Sequence, residues 1–202
     1  MRGPQNCMSN LLTRMKKPLN ENQVKAIRKM TADNPLHNLL INLSTDLMLR
    51  ASDLLKLKVS DVMFENGKVR DTVKVKQKKT KNYTIDIPLS EHSKKSISKF
   101  LCDKNADDFI FAGQKSHYTR KAISTVQYQR IIKGWMRMLG VDDVSSYSTH
   151  SMRKTLASHI YSKTNNVEAV RRLLGHQSVT ATSSYLNVSN DDATALAIQH
   201  HF

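Results

Sequence analysis

The chain has 202 residues, and its 32 Lys and Arg against 17 Asp and Glu leave a formal charge of +15 at neutral pH. With 39% hydrophobic and 24% charged residues, it has the balance of one globular domain able to bury a full core, which excludes disorder throughout. Two cysteines, Cys7 and Cys102, exclude a disulfide framework and a Cys-x-x-Cys metal site and point to a reducing compartment. The longest apolar runs, Leu39 to Ile41 and Leu47 to Leu49, are broken by Asn42, Asp46 and Arg50 and are too short to cross a bilayer. The first residues lack the apolar stretch of a secretory signal, so the expected location is cytoplasmic, with no membrane partner.

A strongly positive field attracts polyanions, of which nucleic acid is the commonest in a cytoplasm. Basic residues are spread over every segment rather than gathered in a tail, and many of them belong to ordinary solvated faces.

In chain order, residues 1–18 are polar, basic and without periodicity, and read as a flexible leader or linker remnant. The folded domain is expected over 19–202. Asn20 and Gln23 have capping-box spacing ahead of Val24, Ile27 and Met30, which predicts a helix over 21–32. Pro35 breaks it, and Leu36, Leu39, Leu40, Leu43 and Leu47 predict a second helix before a polar junction from Arg50 to Asp53; a short third helix is expected from Ser52 to Leu57. From Val59 to Pro88 the period alternates, with Asn66-Gly67 as a hairpin signal and a second turn near Thr80 to Asn82. In the central strand Val69, Val73 and Val75 alternate with Arg70, Lys74 and Lys76, giving a basic face beside the second turn.

Helical spacing returns over 90–101, 121–138, 150–162 and 167–174, with short helices near 178–185 and 190–199. Gly140 and Gly175 stand where left-handed caps are expected. The fold class is mainly α with a small antiparallel β-sheet.

The segment from Ser146 to Thr155 offers Thr149 as a cap and places His150 and Arg153 three residues apart on one face of a helix start. Backbone dipole, imidazole and guanidinium there suit a phosphate, although such a pair is commonly just solvated. Downstream, Leu173-Leu174-Gly175-His176 is followed nine positions on by Tyr185. Together with His-x-x-Arg this resembles the tyrosine recombinase and phage integrase family. Two further segments match in family order: Thr45 to Leu57, with Arg50 and the acidic Asp53 three positions on, and the lysine turn within Val75 to Leu89. The resemblance covers about residues 19–200, and boxes in order are far more specific than any one of them.

The resemblance implies a catalytic-domain fold and a site-specific recombinase that breaks and rejoins DNA through a 3′-phosphotyrosyl intermediate. Tyr185 would be the nucleophile, with Arg50 and Arg153 on the scissile phosphate and Lys79 as general acid. His150 and His176 would complete the site, and Asp53 would support it. His150 is open between accepting the tyrosine proton and holding the phosphate. Lys79 is chosen over Lys76, Lys78 and Lys81 because it directly precedes Thr80, as in the family's Lys-Thr pattern. The chemistry is independently sensible, since phosphodiester exchange needs an attacking oxygen, permanent cations on the non-bridging oxygens and a proton donor for the leaving oxygen. No metal and no cofactor is implied.

Lys76, Lys78 and Lys81 at the turn, and Lys121, Arg130 and Lys133 on a helix that in the family lies along DNA, are the expected DNA-binding residues. Lys121 to Leu139 also reads as a basic surface helix with Trp135 in the core. The partners implied are double-stranded DNA and other copies of the chain, a tetramer in synapsis, joined through a C-terminal tail in which Asn190 caps a helix bearing Ala193, Leu196 and Ala197. Only about 18 residues precede the first helix, which fits either an excised catalytic domain or the short recombinases that act without a core-binding domain. The competing readings are a type IB topoisomerase, a non-catalytic DNA-binding or architectural protein, and a metal-dependent nuclease. The last lacks Asp, Glu and His at ligand spacing.

Overall fold

The computed structural model describes residues 16–113 and 121–186, together with residue 198. Helix α1 (Glu21–Met30) starts at the expected capping box: Asn20 Oδ1 accepts the Gln23 N–H at 2.8 Å and Gln23 Oε1 accepts the Asn20 N–H at 3.0 Å. Helix α2 (Pro35–Leu47) follows, with Asn34 as N-cap and Pro35 in the first turn, where a missing N–H costs nothing. From Asn38 to Leu47 every residue of α2 is buried, making it the spine on which α5 (Glu91–Leu101) and α7 (Thr149–Thr164) pack. A spine buried all round must satisfy its polar side chains internally. Asn42 accepts from Arg28 Nε at 2.8 Å and donates to Ser96 Oγ at 2.7 Å, while Asp46 accepts the Ser90 N–H at 2.8 Å and the Ser93 hydroxyl at 2.5 Å.

After α2 the chain turns through a left-handed Met48, φ 48°, into the short α3 (Ala51–Leu54), with Arg50 at its N-cap. The alternating segment is less of a sheet than its pattern predicts. Val59–Val62 forms a helical turn, α4, because Asp61 Oδ2 accepts the Lys58 N–H at 2.8 Å and closes the turn, leaving Val59 and Val62 buried at helical spacing. What remains is an antiparallel pair, β1 (Thr72–Val73) with β2 (Ile87–Pro88), extended by isolated bridges Met63 to Val69 and Lys76 to Tyr83. Gly67 turns the Asn66-Gly67 hairpin with φ 79°.

Helix α6 (Thr125–Met138) is capped by Ser124 and begins later than expected, so Lys121 precedes the helix instead of riding on it. Gly140 ends this region in a left-handed conformation, φ 67°. A 3-10 turn (Val144–Ser146) leads to α7, whose N-cap is Ser148 rather than Thr149: Ser148 Oγ accepts the His150 N–H at 3.2 Å and Ser151 Oγ accepts the Ser148 N–H at 3.0 Å. Helices α8 (Val167–Leu174) and α9 (Val179–Leu186) complete the described chain and pack with α7 around Met48, Ala157, Val170 and Leu174. The main core is separate, built on α2 with Trp135, Phe111 and Ile132. The expected tail helix over about 190–199, with Asn190, Ala193, Leu196 and Ala197, lies outside the described residues apart from residue 198, as do residues 1–15. Among the described residues no helix is long and apolar enough to cross a membrane.

Candidate active site

The two helix junctions and the second turn bring Arg50, Asp53, Arg153, His150, His176 and Tyr185 to one side of α7. Arg50 is placed by the left-handed break after α2, which delivers it at the start of α3. Asp53, one turn on and 4% exposed, accepts the Lys78 N–H at 3.0 Å and so ties the lysine turn to α3; its second oxygen has no partner among the described residues. Arg153, 3% exposed, donates from Nη2 to the Leu174 carbonyl at 2.6 Å, while its Nε is unsatisfied among the described residues. A buried guanidinium with an unmet N–H suits an anion. Burial chiefly, and then the charge of Arg50, push the Arg153 pKa down to about 10, with Tyr185 and Asp53 acting the other way.

Gly175 closes α8 in the left-handed conformation, φ 64°, as its position implies, and the chain then swings His176 back beside Tyr185. The two rings meet edge to face, 5.4 Å between centroids at 89°. His176 Nδ1 lies 3.1 Å from Thr182 Oγ1, and burial, followed by the charges of Arg153, Arg50 and Arg171, holds its pKa down at about 4. Tyr185, near the end of α9, donates its hydroxyl to the His150 backbone carbonyl at 3.3 Å. Burial raises its pKa to about 12 against the opposing pull of Arg153 and Arg50. The His150 pKa is also lowered, by burial first and then by Arg153 and Arg50. Near neutral pH the site is thus two guanidinium cations, two neutral imidazoles and a protonated phenol.

Lys79 sits exposed in the turn over residues 78–80, without a polar partner among the described residues, and is not drawn into the arginine cluster. Lys76, Lys78 and Lys81 are exposed around it; Lys81 takes φ 61°, and the Lys76 ammonium lies 5.8 Å from the Tyr83 ring centroid. Arg130 is exposed and Lys133 half-buried on α6, and Lys121 is exposed ahead of it. The competing tyrosines fall away from the site: Tyr83 is 62% exposed on the hairpin, and Tyr128 is buried in the main core, where desolvation drives its pKa up. Trp135 is core, its indole N–H donating to His37 Nδ1 at 3.4 Å.

Two residues of the site were not anticipated. Gln77, 3% exposed, accepts from Arg50 Nη1 at 2.7 Å and donates to the Leu174 carbonyl at 3.4 Å. A signal was present, since Gln77 continues the Val73, Val75 parity and therefore puts an amide on the inward face. Lys154 is 5% exposed with its ammonium 5.7 Å from the Tyr185 ring centroid, and burial lowers its pKa. Its place, one turn after His150 on the same face of α7, becomes meaningful only once α9 is docked there. Among the described residues no group of three or more His, Cys, Asp or Glu could hold a metal.

Residues 17–191 match the Phage integrase family. A probable integrase/recombinase, YoeC of Bacillus subtilis (strain 168), is 31% identical over 147 residues, covering 73% of this chain and 75% of that protein. A tyrosine recombinase of Pseudothermotoga lettingae is 28% identical over 170 residues; the match covers 84% of this chain but only 56% of that relative. In fold the chain is similar to the crystal structure of XerA recombinase, with a TM-score of 0.71 at 18% identity over 94% of this chain and 66% of that one. It is similar as well to XerH site-specific recombinase bound to palindromic difH substrate in a post-cleavage complex, with a TM-score of 0.68 at 19% identity over 93% of this chain and 54% of that one.

Proposed function

This chain belongs to the phage integrase family, and we propose that it is the catalytic unit of a site-specific tyrosine recombinase that breaks and rejoins duplex DNA through a 3′-phosphotyrosyl intermediate. The observation that carries this reading is the meeting of Tyr185 with a site of two guanidinium groups: its hydroxyl lies at the N-terminus of α7, whose next turn holds Arg153, and Arg50 and Arg153 both act on its ionisation. The phenol oxygen forms a bond to the scissile phosphorus as the bond from phosphorus to the 5′ oxygen breaks. Arg50 and Arg153 hold the non-bridging oxygens, and the buried Arg153 Nε, without a partner among the described residues, is a donor left for the charge that builds there. Because burial keeps the phenol protonated, the step needs a base. His150, neutral and next to the helix start that receives the Tyr185 hydroxyl, takes that proton. His176 hydrogen-bonds a non-bridging oxygen, and Lys79, exposed on its turn, gives a proton to the departing 5′ oxygen. The reverse steps with a different 5′ hydroxyl complete strand exchange.

Double-stranded DNA is the substrate, contacted by Lys76, Lys78 and Lys81 at the turn and by Lys121, Arg130 and Lys133 near α6. XerH site-specific recombinase is described bound to a palindromic difH substrate in a post-cleavage complex, which supports this class of partner. Assembly on DNA as a tetramer in synapsis through the C-terminal tail is part of the same proposal.

A suicide duplex that traps the covalent intermediate tests the reading. The chain is expected to yield a DNA adduct on denaturing electrophoresis in EDTA, and Tyr185→Phe to yield none while still binding DNA. An adduct that persists in Tyr185→Phe, or one that EDTA abolishes, would overturn it.

A further inference from the structure

We infer that Gln77 is a positioning residue that sets the two phosphate-binding arginines against each other and against the lysine turn, acting through Arg50 and Arg153 without touching DNA. The inference rests on the recombinase reading and goes beyond it, since the family resemblance assigns nothing to this position.

A continuous hydrogen-bonded path carries it. Arg50 Nη1 donates to Gln77 Oε1 at 2.7 Å, Gln77 Nε2 donates to the Leu174 carbonyl at 3.4 Å, and Arg153 Nη2 donates to the same carbonyl at 2.6 Å. Thr80 Oγ1 adds a fourth bond, donating to Gln77 Oε1 at 3.2 Å, so the turn bearing Lys79 hangs on the same amide. Two like charges that must converge on one phosphate repel each other before it arrives. A neutral amide with its acceptor on one arginine, and a carbonyl shared with the other, fixes both without neutralising either. A carboxylate at this position would hold Arg50 more strongly but would compete with the phosphate for it.

The fit is tight from the opposite side as well. Gly175 approaches so closely that a Cβ there would lie 2.7 Å from Gln77 Nε2 and 3.3 Å from its carbonyl carbon. The turn that ends α8 and presents His176 therefore closes over the Gln77 amide. One side chain that is 3% exposed hydrogen-bonds the segments supplying Arg50, Lys79 and His176, and reaches Arg153 through the Leu174 carbonyl that both donate to.

The test compares the chain with Gln77→Leu and Gln77→Glu on a suicide duplex, measuring single-turnover adduct formation at saturating DNA, the Kd for the same duplex by anisotropy, and the melting temperature. A misplacement of about 1 Å in a reacting array costs on the order of 100-fold. Both variants are expected to form adduct on the order of 10- to 100-fold more slowly, with Kd within about threefold of the unmodified chain. Gln77→Glu keeps the size of the side chain and guards against a packing failure in Gln77→Leu. Unchanged rates overturn the inference, as does full activity in Gln77→Glu. A fall in rate matched by the same fall in DNA affinity and melting temperature reduces Gln77 to a packing residue and also overturns it. If the unmodified chain forms no adduct, the recombinase reading itself fails, and the inference with it.

Discussion

His176 is held between Tyr185 and Thr182 in its neutral form, its pKa pushed from an ordinary 6.5 to about 4 by burial and three arginines. The unfolded chain takes up this proton near pH 6.5, whereas the folded chain does so only near 4. Between those values the unfolded state binds more protons, and stability rises with pH. The stabilisation is complete above about pH 6.5 and is lost as the pH falls toward 4. His150, His37 and His92 are lowered in the same direction and add to the slope. Asp143 and Glu168, held near 2 by their hydrogen bonds, add a further loss as the pH falls from about 4.5 toward 2. Urea midpoints measured from pH 7.5 down to 4.5 are expected to fall steadily, and those of His176→Asn to fall less steeply; parallel curves would mean that His176 titrates alike in both states. At this scale the sequence spoke through residue type. Gly175 was legible as a left-handed cap because only conformation was at issue, but its close approach to Gln77 spans 98 positions and leaves no local trace. Tyr185 and the arginines were legible only as members of boxes in order.

Helix starts were the most readable elements, because a cap and its partner lie within four residues of each other. The Asn20 and Gln23 box and the run from Pro35 to Leu47 sit where they were expected. The same locality explains the errors. In Val59 to Val62 alternation and helical spacing are nearly indistinguishable over four residues, and a single bond from the Lys58 N–H to Asp61 decides for the helix. At α7 two adjacent hydroxyl residues could cap, and Ser148 takes the role because Ser151, not a residue partnered to Thr149, completes the box. What no local pattern carries is how elements are fastened to one another. Asp46 shows the device: buried on the last turn of α2, it caps α5 in trans by accepting the Ser90 N–H and the Ser93 hydroxyl. Asp46→Ala strands both donors and removes a charge-assisted pair, and is expected to cost about 1–3 kcal/mol in urea unfolding. The tie lies outside the arginine cluster, so adduct formation by the folded fraction should be retained. A loss under 0.5 kcal/mol, the range of an ordinary surface change, would show that α5 is held by apolar packing alone.

For the whole molecule, a formal charge of +15 on 202 residues matters more for binding than for folding. The ion pairs of the described residues are largely exposed, such as Glu21 with Lys25 and Asp33 with Lys99, and each pairs one charge of either sign, so the net excess is unchanged by them. The proposed DNA path puts this excess to use at the lysine turn. Lys56, Lys74, Lys76, Lys78 and Lys81 line one groove with Tyr83, and among the described residues the only acids on it are Asp53, engaged with the Lys78 N–H, and Asp61, engaged with the Lys58 N–H. A phosphate backbone laid along this groove releases counterions as the lysines replace them, so log Kobs should fall linearly with log salt concentration. If the turn and the α6 region together neutralise about six phosphates, affinity falls about 10³-fold between 50 and 200 mM salt. Replacing Lys78 and Lys81 by Ala should lower the magnitude of the slope by about one for each, weakening all sequences alike. The site chemistry would be untouched, so the adduct rate at saturating DNA should be preserved. A slope unchanged in the double variant would move the DNA path off the turn. That outcome would also count against the general-acid role proposed for Lys79, because a general acid on a surface turn acts only if the backbone it protonates passes over that turn.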